Sequence, residues 1–186
     1  KHPDYAPLKL LSTYLGNGLS SRLFVELREK RGLAYDVSAF YPTRQEYSQF
    51  VTYMGTAPDN TAIAIEGLQT EAERLCDQIL SEEELTAAKN KLLGQYALGK
   101  QTNGEIAHLF GWYETLGLGL AFDHQFQEQI AATTPADAQR VAQTYLQHPY
   151  LSVVGPEAGL AKYYDWAERR SPLTPVSYTH LTLPTI

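Results

Sequence analysis

The sequence predicts an α+β fold in which an antiparallel sheet carries helices on one face. Three observations lead there. Two β-rich runs follow one another across a connector of hairpin length. Helical periodicity dominates the rest of the chain. Strands and helices do not alternate, as a parallel sheet would require.

Taken in order, His2–Leu15 carries Leu8, Leu11, Tyr14 and Leu15 at helical spacing, and Gly16-Asn17-Gly18 ends that helix. Ser20 or Ser21 is expected to cap a second helix with Leu23, Phe24 and Leu27 on one face. Lys30 and Arg31 fall in its last turn, where cations suit the helix dipole, and Gly32 stops it. Tyr35–Tyr41 alternates, which puts Tyr35, Val37, Ala39 and Tyr41 on one side of a strand. Tyr47–Thr56, rich in Val, Tyr, Thr and Phe, is its antiparallel partner across the polar connector Pro42–Glu46.

Pro58 opens a helix through Ile63, Ile65, Leu68 and Leu75. Ser81-Glu82-Glu83-Glu84 is a capping box, followed by Leu85, Ala88, Leu92 and Tyr96 on one face. Further helical runs hold Ile106, Leu109, Phe110, Tyr113 and Leu116, and then Phe122, Phe126 and Ile130. Thr134-Pro135-Ala136-Asp137 caps a helix with proline at its first position, carrying Val141, Ala142 and Tyr145. Pro149–Gly155 reads as a last strand.

A chain of 186 residues is long enough for one domain with a core of its own. A net charge of −6 argues against nucleic acid as the main partner, because backbone binding needs clustered Lys and Arg. Cys76 is the one cysteine, so the fold is expected not to depend on an internal disulfide, and the thiol reads as a small buried apolar group. No stretch approaches the roughly 20 apolar residues that span a bilayer. The single cysteine and the bacterial style of the sequence make the cytoplasm the expected compartment. The chain starts at Lys1, inside a helix entry, so any targeting segment is expected upstream. The last residues, VSYTHLTLPTI from Val176, resemble an in-frame reading of a transposon-type sequencing adapter, the alternative being a native Thr-rich tail. They are expected to be non-native. The organisation expected is a domain over residues 1–157, a tail over 158–175 and adapter-derived residues over 176–186.

The segment Leu15–Tyr35 reads LGNGLSSRLFVELREKRGLAY. Its Gly-x-Gly turn, Ser-Ser-Arg-Leu-Phe and Leu-Arg-Glu-Lys-x-Gly-Leu-Ala-Tyr resemble the insulinase/pitrilysin family of zinc metallopeptidases, in the branch of bacterial and mitochondrial processing peptidases. LTAAKNKLLGQ after the capping box and TPADAQRVAQTYL before VVGPE extend the resemblance over about residues 2–157. It implies the C-terminal domain, which in that family begins one strand earlier, so the sheet is expected to lack its first strand. It also implies a closed chamber between two related halves, with zinc held by His-x-x-Glu-His in the N-terminal half. The C-terminal half contributes an arginine and a tyrosine that reach the bound peptide.

On this sequence the pair corresponds to Arg28 and Tyr35, on either side of Gly32. Arginine offers a planar fork of donors for peptide carbonyls or a terminal carboxylate. A tyrosine hydroxyl can donate to the oxyanion that develops at a scissile carbonyl. Arg28 is thus the expected substrate-binding residue and Tyr35 the expected catalytic one, supporting the transition state. By helical wheel alone, Arg31 competes with Arg28, and the register of the resemblance points to Arg28. Taken singly, an arginine near a helix end is a solvated charge and a tyrosine opening a strand is a packing residue.

No histidine among His2, His108, His124, His148 and His180 has the inverted zinc spacing. Glu105 and His108 share a helix face, and a solvated pair explains them better than a metal site, which needs at least three ligands. Gly16-Asn17-Gly18 lacks the Gly-Lys-Ser/Thr ending of a phosphate loop. Glu82, Glu83 and Glu84 are explained by capping. Trp112 and Tyr113 are read as packing residues or chamber lining.

The expected function is therefore the substrate-binding half of a zinc metalloendopeptidase. Its partners are a peptide substrate and a zinc-bearing N-terminal half, with neither nucleic acid nor membrane. Zinc is expected in the intact protein, bound outside this chain, which alone is expected to be inactive. The alternative is a non-catalytic partner subunit of a heterodimeric processing peptidase, or a structural homologue. An unrelated α+β binding domain is the third reading.

Overall fold

The structure, a computed structural model, describes residues 2–170. Helix α1 spans Tyr5–Gly16. The chain then turns through a π-helical segment, Phe24–Glu29, into strands β1, Asp36–Phe40, and β2, Val51–Gly55. After a 3₁₀ turn at Pro58–Asn60 come helices α2, Thr61–Asp77, α3, Glu82–Leu98, and α4, Asn103–Thr115. They are followed by α5, Phe122–Ala132, α6, Pro135–Tyr145, and α7, Glu157–Arg170.

The α+β expectation holds. Strands β1 and β2 pair antiparallel, with Val37 opposite Met54 and Ser38 opposite Tyr53. Val37 and Ala39 turn inward to the helices, while Asp36 and Phe40 face solvent. Helices therefore cover one face of the sheet. The reason is α1. Leu8, Leu11 and Leu15 are buried as the spacing predicts, but Leu10 is buried as well, because β1, α3, α5 and α6 all pack around this helix. It is a core helix, apolar on more than one side.

The closest contact in that arrangement is at Gly16. A Cβ built there would lie 1.8 Å from the backbone nitrogen of Ala39, so only glycine lets the end of α1 touch strand β1. The turn that follows is held from α3. Asn17 and Gln95 exchange two side-chain amide bonds, at 2.7 and 3.1 Å. Lys91 donates to the Asn17 carbonyl and to Ser20 Oγ.

Caps legible in the sequence form as expected. Ser81–Glu84 and Thr134–Asp137 close complete capping boxes. Thr102–Glu105 closes a third, which accounts for Glu105. The N-terminal turn is clamped to α6. Asp4, buried, accepts from Arg140 Nη2 at 2.7 Å and from the Tyr145 hydroxyl at 2.8 Å.

Four local expectations need correction. The segment after Ser21 is π-helical rather than an ordinary α-helix, and neither serine side chain caps it. Ser20 Oγ accepts from Lys91, and Ser21 Oγ is buried without a partner. The strands are shorter than Tyr35–Tyr41 and Tyr47–Thr56, and Tyr35 is 74% exposed instead of sharing the buried side with Val37 and Ala39. Pro149–Gly155 is not a strand. Its β-rich composition needs a neighbouring backbone to pair with, and the described sheet contains only β1 and β2. Residues 158–170, grouped with the tail, belong to α7, which packs on α2 and the 3₁₀ turn through Trp166, Ala167 and Ile65. Residues 171–175 of that tail and the adapter-like residues 176–186 lie outside the described part.

Three predictions come from this packing. Gly16→Ala should cost about 3 kcal/mol or more, since the clash is with backbone in a packed core; urea unfolding would measure it, and a loss near zero would refute the close approach. The Arg140 hydrogen bond, opposed by burial and helped by Tyr145, holds the Asp4 carboxyl below the ordinary carboxylate range. A depressed folded-state pKa stabilises above the unfolded value of about 4 and ceases to as pH falls through the lower folded value. The gap in urea midpoint between wild type and Asp4→Asn should therefore be present at pH 7 and shrink toward pH 3. Finally, a two-stranded sheet with open edges should make this chain self-associate, visible as a concentration-dependent elution volume on sizing.

Candidate functional site

The residues singled out by the sequence lie on one short stretch, from the π-helical turn to the entrance of β1. The Lys30 amide donates to the Val25 carbonyl five residues back, the mark of a π register. The turn ends at Gly32, which has φ +61°. The Gly32 amide reaches the Arg28 carbonyl at 3.1 Å and the Leu33 amide reaches the Leu27 carbonyl at 2.9 Å. This is the glycine-terminated helix end with each bond one residue longer, as the wider turn demands.

Leu27 is fully buried, and it anchors the turn. It presses into α2 at Gly67, where a Cβ would come within 2.7 Å of Leu27 Cδ2. One turn further along α2, Glu71 accepts from Arg22 Nε at 2.8 Å, and Arg22 also pairs with Glu26 at 3.3 Å. Past Gly32 the chain is tied to β2, with Thr56 Oγ1 donating to the Leu33 carbonyl at 2.6 Å and the Tyr35 amide donating to the Gly55 carbonyl at 2.8 Å.

Both predicted residues project outward from this anchored frame. Arg28 is exposed and its guanidinium stacks over the Phe24 ring, 5.0 Å from the centroid. Tyr35 is exposed directly before β1. Among the described residues, no hydrogen bond or ion pair engages the Arg28 guanidinium or the Tyr35 hydroxyl. Arg31, the competitor, lies along α2, with Nη1 3.7 Å from the Cβ position of Gly67. The helical wheel puts Arg31 on the Leu27 face, and it lies beside Leu27's seat at Gly67.

Other candidates resolve into structure. Cys76 is buried, and desolvation raises its thiol pKa. Tyr113 is buried in a hydroxyl network with Tyr96, Asp123 and Lys100 that ties α3, α4 and α5 together, whereas Trp112 is partly exposed. Glu84 accepts from the Tyr14 hydroxyl at 2.8 Å, and burial with this bond pushes the phenol up to about 12. His124 pairs with Glu128 on the surface at 3.3 Å, and His180 lies outside the described residues. Among the described residues no group of three or more His, Cys, Asp or Glu could hold a metal ion, so these side chains do not fit a zinc site. A cavity of about 1000 Å³ lies elsewhere, between the hairpin connector, α5 and residues 145–150, and is lined by neither Arg28 nor Tyr35. No described helix is long and apolar enough to cross a membrane.

Sequence reasoning missed Arg22, Gly67 and Glu71. A signal existed for Glu71: it falls on the apolar stripe Ala64, Leu68, Leu75 of α2, where a carboxylate needs a buried partner.

Comparison with known proteins agrees with the class defined by this fold and segment. Residues 1–92 match the peptidase M16 inactive domain. An uncharacterized zinc protease of Streptomyces coelicolor is 34% identical over 149 residues, covering 79% of this chain and 32% of that protein. One from Mycobacterium tuberculosis is 31% identical over 151 residues, covering 80% and 34%. Among solved structures, the peptidase M16 inactive domain from Pseudomonas fluorescens superposes with a TM-score of 0.69 at 27% identity, over 77% of this chain and 34% of that one. A protease from Helicobacter pylori gives 0.71 at 28% identity, over 79% and 35%. The chain belongs to the peptidase M16 family, of insulinase and pitrilysin type, and carries the domain described there as inactive. It spans about a third of the length of the curated relatives it matches.

Since both side chains point into solvent, neither should matter for folding. Tyr35→Phe should leave the urea midpoint unchanged. Arg28→Ala should cost no more than about 1 kcal/mol, the worth of an exposed cation–π contact. A larger loss in either variant would reassign the residue to packing.

Proposed function

We propose that this chain is the substrate-binding half of a zinc metalloendopeptidase. Arg28 holds the peptide through its carbonyls or terminal carboxylate, and Tyr35 donates a hydrogen bond to the oxyanion forming at the scissile carbonyl. The observation that carries this reading is the pairing itself: an unpaired guanidinium and an unpaired phenol, both exposed, flank Gly32 on a segment whose backbone is tied to α2 and β2. Groups held in place but left without partners are ready for a ligand. Arg31 is the weaker candidate because it lies against α2.

The described side chains do not fit zinc, so on this reading the metal belongs to a second half with which this domain closes. Relatives about three times as long, named as zinc proteases, support placing both halves on one chain over a heterodimer with a separate catalytic subunit. Alone, this domain would bind peptide without cleaving it.

The test is steady-state kinetics on the full-length protein with a peptide substrate. Tyr35→Phe should lower kcat/KM on the order of 100-fold, the usual cost of one oxyanion donor. Arg28→Ala should act mainly by raising KM. Undiminished kcat/KM in both variants would remove the proposed roles.

A further inference from the structure

We infer that Glu71, through Arg22, is a positioning residue for Arg28: the buried ion pair on α2 sets the π-helical turn and thereby the direction in which Arg28 meets the peptide. This rests on the substrate-binding reading of Arg28.

The starting observation is a carboxylate where one is costly. Glu71 is 4% exposed and stands on the core-facing stripe of α2. A buried ion pair commonly adds no stability over apolar residues of the same volume, so its presence calls for another role. Its partner specifies that role. Arg22 lies two residues before the π-turn, and its Nε–H contact with Glu71 leaves Nη1 to meet Glu26, inside the turn. Lys30, at the end of the turn, reaches the same Glu26 oxygen at 2.8 Å. A ladder of charge thus runs from α2 along one side of the turn, Glu71–Arg22–Glu26–Lys30. On the other side, Leu27 seats at Gly67, four residues before Glu71 on the same helix.

The turn is therefore gripped at two neighbouring points of α2, one apolar and one ionic. The apolar point alone would fix its distance from α2 but leave it free to roll. The ionic point, off the Leu27 axis, removes that rotation. Rotation is what matters for Arg28, which follows Leu27 directly and whose guanidinium stacks on Phe24, itself part of the turn. Among the described residues, no hydrogen bond or ion pair joins Arg22 or Glu71 to Tyr35.

The experiment is a double-mutant cycle in the full-length protein, pairing Glu71→Gln with Arg28→Ala and following kcat and KM for a peptide substrate. Glu71→Gln keeps shape and hydrogen-bonding capacity but gives up the charge. It should lower kcat/KM on the order of ten-fold or more, since small misplacement of a binding group carries such costs, and the loss should divide between kcat and KM as it does for Arg28→Ala. With Arg28 already removed, Glu71→Gln should change kcat/KM by no more than about two-fold. Amide exchange should speed up over residues 24–31 and stay unchanged in α5 and α6. An equal loss in the presence and absence of Arg28 overturns the inference, because Glu71 would then act on folding generally. So does normal activity of Glu71→Gln while Arg28→Ala is impaired. An unimpaired Arg28→Ala instead removes the substrate-binding reading, and the inference with it. Should Glu71→Gln not fold, Arg22→Lys, which keeps the charge and gives up the Nε contact, carries the same cycle with the same outcomes.

Discussion

The whole domain depends on α1 lying flat against strand β1, and that depends on one missing methyl group. With hydrogen at Gly16, the end of α1 meets the backbone of Ala39 directly, and Val37 and Ala39 seal the sheet onto the helix. From that contact outward, α3, α5 and α6 close around α1 until leucines on several of its sides are buried. The hairpin is small, and two strands alone are marginal in water. It persists because one face is the lid of a helical core.

The segment that matters for function hangs from this frame at both ends. Its start is gripped by α3 through Lys91 and Gln95, its middle by α2 at Gly67 and Glu71, and its end by β2 at Gly55 and Thr56. Between those fixed points, Arg28 and Tyr35 face outward, and no hydrogen bond or ion pair among the described residues engages the guanidinium or the phenol hydroxyl. A rigid backbone with free functional groups is the arrangement a binding site needs, since little ordering remains to be done when ligand arrives.

Much of this was legible in the residues. Caps at Ser81 and Thr134 could be read because the bond they make is local, spanning three positions. The hairpin could be read from period-two alternation, and the ordered motif from Leu15 to Tyr35 pointed to the family. What could not be read has a common cause. The π register of residues 24–29 differs from an α-helix by one hydrogen-bond step, and no local preference in FVELRE announces it. The contacts that hold it reach Gly67 and Glu71, between forty and fifty residues away in sequence. Tyr35 fell on the wrong side of its strand because β1 begins one residue later than alternation suggests. Pro149–Gly155 has strand composition, but pairing is a property of two segments, and composition reports on one.

The π-turn also constrains how the sequence can change length. A turn closed five residues back accommodates one residue more than a turn closed four back. Deleting any one residue between Phe24 and Glu29 would let the segment close as an ordinary helix, at no cost to its local hydrogen bonding. Yet Arg22 and Leu27 could not then both keep their seats on α2, since these are spaced for the wider turn. Shortening this stretch therefore costs a seat on α2 that substitution at an exposed position such as Glu29 leaves intact. Insertions and deletions should instead collect in the connector between β1 and β2, whose residues 44–47 are exposed and outside both strands.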